Sequence, residues 1–345
     1  MDRLEKILSR YDYDYPAAAV AQSPASPRDS AKLLVYRRAT GETRFDRFSG
    51  LAGHLPPGAV LVFNQTRVIP ARLVLRKETG GRAVVLYIGL EKGLLKVMSD
   101  RRLSVGSVLH LGRDRSFRVC RQAGKYYFLR PSFPPAQVVA VLERYGLTPL
   151  PPYIKHSPLT ESEVKEKYQS VFARRRGSVA APTASLHFTR RLLRQLAGRG
   201  FASRFITLHV NLGTFAPLTA ENLRTKRLHV EHYELDPRTA VFLNEAKKAG
   251  RPIIAVGTTV VRTLETAASG GKRLRRLRGT TDIFIREGDH PAFVDGLITN
   301  FHVPRSSLMM LTAAFVGRGK LLDLYQQAIR RRLRLFSFGD GMLVV

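Results

Sequence analysis

At 345 residues the chain exceeds the usual size of a single core, and its 44% apolar content fills two domains without any unbroken run of membrane-spanning length. Lys and Arg total 57 against 27 acids, a formal charge of +30, which suits a polyanion whose phosphates bind with salt-dependent affinity. The single cysteine, Cys120, excludes an internal disulfide framework and a thiolate metal cluster and fits a reducing cytosol, and the opening MDRLEKILSRYDYDYP has no secretion-signal core.

In chain order, residues 1–75 begin with a loop-rich segment, followed by LLVYRR and then by GAVLVFN, a short apolar strand between Pro57-Gly58 and Asn64. Between 76 and 150 the texture changes. RAVVLYIGL, LLKVMS, SVLHLG, FRVCR and KYYFLRP are short runs separated by glycine or charged turns, the pattern of a small all-β, barrel-like module. Cys120 lies in FRVCR and reads as a small packed side chain. A prolyl stretch from Pro149 closes this module. Beyond it, FITLHV reads as a strand, PRTAVFLNEAKKAG as a helix with a glycine stop, and PIIAVG as a strand. TTVVRTLETAAS reads as a helix, DIFI as a buried strand and GKLLDLYQQAIRRRLRLF as a final helix. Alternating β and α over 151–345 predicts an α/β main domain shared with 1–75, into which the all-β module of 76–150 is inserted.

Three histidines stand in apolar, strand-like surroundings: His187 in GSVAAPTASLHFT, His209 in TLHVNLGTF and His302 in TNFHVPRSSLMMLTAAF. A ring that donates, accepts and titrates near neutrality is uncommon in core stretches. Either each is a core histidine held by backbone groups, or together they line one polar pocket. IIAVGTTVVRTLE places Thr258 and Thr259 at a strand-to-helix turn whose free N–H groups suit an anion. Arg262 and Glu265 fall on the polar face of that helix, where a solvated pair is the plain expectation. Asn64 and Arg67 follow a strand, the place where α/β folds build sites as well as ordinary turns. His229 and Glu231 share one face of RLHVEHYEL, with His232 beside them, and their spacing matches no zinc motif. Asp282 and Asp340 are carboxylates beside apolar strands or glycine turns. The arginines bunch at Arg174, Arg175 and Arg176, at Lys272, Arg273, Arg275 and Arg276, and again from Arg330. No GxGxxG, P-loop or nucleophile-elbow motif is present.

The order of YDYDYP, LVFNQTRVIPARL, YQSVFA, GSVAAPTASLHFT, TLHVNLGTF, HVEHYEL, IIAVGTTVVRTLE, TDIFI, TNFHVPRSSLMMLTAAF and FSFGDGMLVV resembles the S-adenosylmethionine:tRNA ribosyltransferase-isomerases of queuosine biosynthesis along the whole chain. The resemblance implies an α/β domain interrupted by a β-barrel. It also implies transfer of the ribosyl part of S-adenosylmethionine to the aminomethyl group of preQ1 at the tRNA wobble position, with isomerisation to epoxyqueuosine and release of adenine and methionine. S-Adenosylmethionine would be a co-substrate, with no metal, in a cytoplasmic and monomeric enzyme with no membrane attachment. His187, His209 and His302 become candidates for the base that removes a proton beside the sulfonium, and Asp282 for the acid that assists adenine. The methionine carboxylate falls to the 257–259 turn, Arg262 or Arg305, and the ribose hydroxyls to Asn64, Asn300 or Asp340. Arg67, Thr183, Gly213 and Thr214 complete the expected substrate contacts, and the runs at 174–176 and 272–276 are expected to hold RNA phosphates. The chain departs from the family pattern at Gln65, Val84, Ser185, Asn211 and Thr280. Those departures keep open a diverged RNA-binding paralogue with altered or lost chemistry.

Overall fold

The computed structural model describes residues 3–211 and 217–345. Its strands in chain order are β1 (Lys32–Tyr36), β2 (Thr43–Arg47), β3 (Val60–Asn64), β4 (Thr66–Val68), β5 (Arg72–Lys77), β6 (Arg82–Glu91), β7 (Leu94–Ser99), β8 (Val108–Leu111) and β9 (Arg115–Ala123). They continue as β10 (Tyr126–Pro131), β11 (Arg175–Ser178), β12 (Ala202–Leu208), β13 (Arg227–Leu235), β14 (Ile253–Val256), β15 (Arg278–Ile283), β16 (Gly296–Asn300) and β17 (Gly341–Val344).

Nine strands form one sheet in the order β15-β13-β12-β3-β14-β16-β17-β1-β2. Its centre, β12-β3-β14-β16, is parallel throughout, with antiparallel partners toward both edges. The parallel strands read as continuous apolar runs (VLVFN, IIAV) because both faces are covered. One face carries Val60, Val62, Ile206 and Ala255 against the helices Pro237–Lys248, Thr258–Ala268, Ser307–Val316 and Arg318–Arg330. The other carries Leu61, Phe63, Val256 and Ile298 against Phe48, Phe188 and the helix Arg190–Gly198. The architecture is therefore α/β, as the alternation of elements suggests.

The six strands β5–β10 close into a separate antiparallel barrel. It has its own core of Leu73, Val85, Val97, Phe117, Val119 and Leu129. Its first strand begins at Arg72, so a boundary at 76 cuts through β5. Cys120 is half-buried on β9 between inward-facing Val119 and exposed Arg121, and is not packed in the core. The chain enters and leaves the barrel at one clasp. Arg72 and Leu147 exchange backbone hydrogen bonds of 3.1 and 2.8 Å, and the Arg72 Nη2 donates to Leu150 O at 3.0 Å. Just outside the clasp, β4 and β11 pair in parallel, so both connections run side by side. DIFI proves to be the end of an edge strand, with Phe284 and Ile285 beyond it, and the last helix stops at Arg330, short of RRLRLF. Among the described residues, no helix is long and apolar enough to cross a membrane.

Candidate active site

The carboxyl ends of the central parallel strands, Leu208, Asn64, Val256 and Asn300, come out on one edge, where open α/β sheets place ligands. A pocket opens there, lined by Tyr153, Thr183, Thr258, Thr259, Asn300 and His302 among others. Gly257 turns the chain from β14 into the helix Thr258–Ala268 with φ +96°, a conformation that favours glycine, and caps it without a side-chain hydrogen bond. The first turn of that helix therefore presents free N–H groups beside two threonine hydroxyls.

Asn300 sits at the pocket wall, 2% exposed. Its Nδ2 donates to Phe336 O at 3.1 Å and lies 3.5 Å from Asp340 O and 3.3 Å from His187 Nε2. Two carbonyls can only accept, which fixes the amide's orientation and leaves Oδ1 as a buried acceptor without a partner. Asn64 does not share this openness. Its Oδ1 accepts from Thr66 and Leu208 N–H, both at 3.1 Å, and its Nδ2 donates to Leu208 O at 2.9 Å and Thr259 Oγ1 at 3.3 Å. It ties β3, β12 and the helix start together, a positioning role rather than an open contact.

The three histidines part company. His302 lines the pocket, with Nε2 2.9 Å from Thr299 Oγ1. Its backbone is clamped: Tyr13 donates its hydroxyl to the carbonyl at 2.6 Å, and the N–H donates to Tyr325 at 2.9 Å. Burial pushes its pKa down to about 3. His187 is behind the wall, stacked on Phe48 with ring centroids 4.0 Å apart, and reaches the pocket only through Asn300. Burial, aided by Arg334 and Arg28, lowers its pKa to about 3 as well. His209 lies outside the pocket on the opposite side of β12's end. Its Nδ1 is 2.8 Å from Thr66 Oγ1 and its pKa is lowered by burial and by nearby His232.

Several expected contacts are committed elsewhere. Asp282 pairs with Arg227 at 3.1 Å on the sheet's edge. Arg305 pairs with Glu5 and Asp12, the latter at 3.6 Å, and so holds the amino-terminal segment. Asp340 accepts from the backbone N–H of Lys32 at 2.9 Å and of Arg334 at 2.7 Å, fixing the start of β1. Arg67 is exposed on β4, opposite Arg176 on β11, and so joins the basic surface. Arg262 and Glu265 are both buried, contrary to a solvated pair. Arg262 forms an ion pair with Glu231, and Glu265 accepts from the N–H groups of Ala292, Phe293 and Val294 at 2.9, 3.1 and 2.9 Å. Burial raises the Glu265 pKa against those three donors. Gly213 and Thr214 lie outside the described residues. Among the described residues, no group of three or more His, Cys, Asp or Glu is arranged to hold a metal.

Beyond β12 a shallow groove runs over the sheet's outer strands, lined by Thr207, His209, His232, Glu234, Arg278 and Thr280. Gln65 borders it by donating to Thr207 Oγ1 at 3.3 Å. Arg174, Arg175 and Arg176 are exposed on and just before β11, and Lys272, Arg273, Arg275 and Arg276 are exposed on the segment that leads into β15. Arg176 meets Glu143 at 3.2 Å, and Arg278 meets Glu234 at 2.9 Å. Among the departures from the family pattern, Gln65 and Thr280 border this groove, Asn211 donates its N–H to Glu231 at 3.0 Å, and Ser185 buries an unpartnered hydroxyl in the short helix Thr183–His187. Val84 sits half-buried on β6 of the barrel, away from both sites.

The model of a family described as "Queuosine biosynthesis protein" matches residues 8–344. An S-adenosylmethionine:tRNA ribosyltransferase-isomerase of Thermosynechococcus vestitus is 45% identical over 345 residues, covering 98% of this chain and 96% of the relative. One of the same name from Moorella thermoacetica is 44% identical, covering 98% and 99%. A crystal structure of S-adenosylmethionine tRNA ribosyltransferase from Thermotoga maritima superposes with a TM-score of 0.56 at 31% identity, covering 97% of this chain and 100% of that one.

Proposed function

The chain belongs to the queuosine biosynthesis protein family, and from that membership we propose how its pocket performs the family's reaction. It is a transferase that moves and isomerises the ribosyl part of S-adenosylmethionine onto preQ1 at the tRNA wobble position, giving epoxyqueuosine-tRNA, adenine and methionine. The relatives bearing the enzyme's name give no support to an RNA binder without this chemistry.

The observation that carries the site is the pocket at the strand ends, where a helix start, an unpartnered acceptor and one imidazole converge. S-Adenosylmethionine binds here, its methionine carboxylate on the N–H groups of Thr258 and Thr259 and a ribose hydroxyl donating to Asn300 Oδ1. Thr183 faces the same space. His302 removes the proton beside the sulfonium. Burial keeps the ring neutral and ready to accept, and makes the resulting imidazolium a strong acid. The same ring returns its proton to the departing adenine, since it is the titratable side chain that faces the pocket among the described lining residues other than Tyr153. His187 holds Asn300 in place, and Asn64 holds the helix start.

The exposed arginines at 174–176, with Arg67, and the basic loop at 272–276 bind tRNA phosphates. The enzyme works in the cytoplasm as a monomer, a placement supported by a tRNA substrate and a lone cysteine. The test is mass spectrometry of nucleosides from preQ1-containing tRNA incubated with the protein and S-adenosylmethionine. Epoxyqueuosine with stoichiometric adenine is the expected result; adenine release without modified nucleoside would overturn it.

A further inference from the structure

The groove over β12, β13 and β15 shares no lining residue with the strand-end pocket. Arg174–Arg176 lead into Gly177, whose φ of +140° and missing side chain let the His209 ring lie against the backbone. A methyl group at 177 would sit 3.0 Å from His209 Cε1. Arg275 and Arg276 are held by backbone hydrogen bonds to Ala267 O at 2.9 and 3.1 Å, and Arg278 lines the groove itself. The segments that carry the two basic clusters thus run into one depression, through Gly177 against His209 and through Arg278, and the carboxylates Glu143 and Glu234 are each already paired with an arginine.

The floor between the clusters is made of hydroxyls and imidazoles. Thr207 and Thr280 offer hydroxyl groups, His232 is exposed, and His209 is fixed by Thr66 and by its own N–H to His232 O at 3.1 Å. Imidazole rings and hydroxyls form hydrogen bonds to base edges, imidazole faces stack on bases, and flanking guanidinium groups suit phosphates. The groove also adjoins the donor pocket across a single strand end. His209 lines the groove, the next residue, Val210, lines the pocket, and Asn64 spans from Leu208 to Thr259.

We propose that this groove seats one unpaired RNA nucleotide, the acceptor of the ribosyl group, with its flanking phosphates on the two arginine clusters. This rests on the tRNA-modifying reading above and adds where the base sits and which residues hold it.

Fluorescence anisotropy with the full chain tests it, using an anticodon stem-loop RNA and a fully paired duplex of equal length over a range of salt. His232→Ala and Thr280→Glu alter exposed groove positions. Arg275→Ala/Arg276→Ala alters one flank, and Arg331→Ala is a control on the far edge of the sheet. The groove variants are expected to weaken stem-loop binding about tenfold while leaving duplex binding and the thermal shift with S-adenosylmethionine unchanged. The flank variant is expected to weaken both RNAs and to lower the salt slope by roughly one per arginine. Stem-loop affinity within about twofold of the unaltered protein in both groove variants, with the flank variant impaired, overturns the groove and leaves the RNA reading standing. No binding of either RNA by the unaltered protein overturns that reading and the groove with it.

Discussion

The buried histidines at the strand-end pocket and behind its wall and the half-exposed histidine of the groove carry the same side chain in similar sequence surroundings, yet the fold puts them in different environments. His187 and His302 are enclosed by aromatic and aliphatic side chains, each with one polar partner at the ring, and burial denies them a charge near neutrality. His209 is only partly enclosed; burial and nearby His232 lower its pKa, while the Glu234 carboxylate opposes that shift. The depth of the ring, not the motif around it, separates the positioning, proton-transfer and ligand-contact roles proposed for His187, His302 and His209. Even the buried pair divides, because only His302 touches the pocket.

Four experiments break or sharpen this contrast. The largest effect is expected at His302→Ala, which should lower the single-turnover rate of epoxyqueuosine formation by about 10²–10⁴-fold, the usual range for a lost acid–base group. If His209→Ala costs as much in that assay with RNA binding intact, the proton-transfer role moves to the groove. His187→Ala should act on stability instead, by about 3–5 kcal/mol in urea unfolding, because it empties the space against Phe48 and removes a partner of Asn300. Acid should expose the same division. The folded pKa of both buried rings is about 3, against 6.5 when unfolded. Between those values the unfolded chain takes up protons that the folded chain refuses. Stability is therefore complete above pH 6.5 and is lost as pH falls toward 3, by about 1.4 kcal/mol per pH unit for each ring. Urea midpoints measured across that window should show a shallower slope in His187→Asn. The smallest effect belongs to the exposed groove: His232→Ala should change stability by less than about 0.5 kcal/mol.

Much of this was legible in the sequence, and the failures share one cause. The strands of the sheet and the barrel announced themselves by local periodicity, and the glycine before Thr258 marked the strand-to-helix turn. His302, Asn300, Thr258 and Thr259 do line one pocket. What sequence could not supply was the distant partner of a charged group. Asp282, Arg305 and Asp340 each looked available and are each held by a residue far along the chain. Arg262 and Glu265 were misread because a helix with a polar face normally turns it to water. Here β13 and the 292–294 segment cover that face, and each polar group finds its partner there. The signal was present in TTVVRTLETAA, where small residues surround both charges and allow neighbours to approach. The groove escaped notice because its residues come from three strands and signal only as separate basic runs.

The clasp at Arg72 and Leu147 also bears on the order in which the molecule can assemble. The central sheet needs β3 beside β12, a parallel pairing across a long stretch of intervening chain that contains the whole barrel. Closing so long a flexible loop in one step is entropically unfavourable. The barrel is built from neighbouring hairpins, so it can form early from local contacts, and the clasp then brings its two ends together. From that moment the intervening segment behaves as a much shorter tether, and β11 is delivered next to β4 with β12 following. The inserted module thus acts as a splint for the search, and cutting the clasp should slow refolding of the sheet more than it lowers the stability of the finished fold.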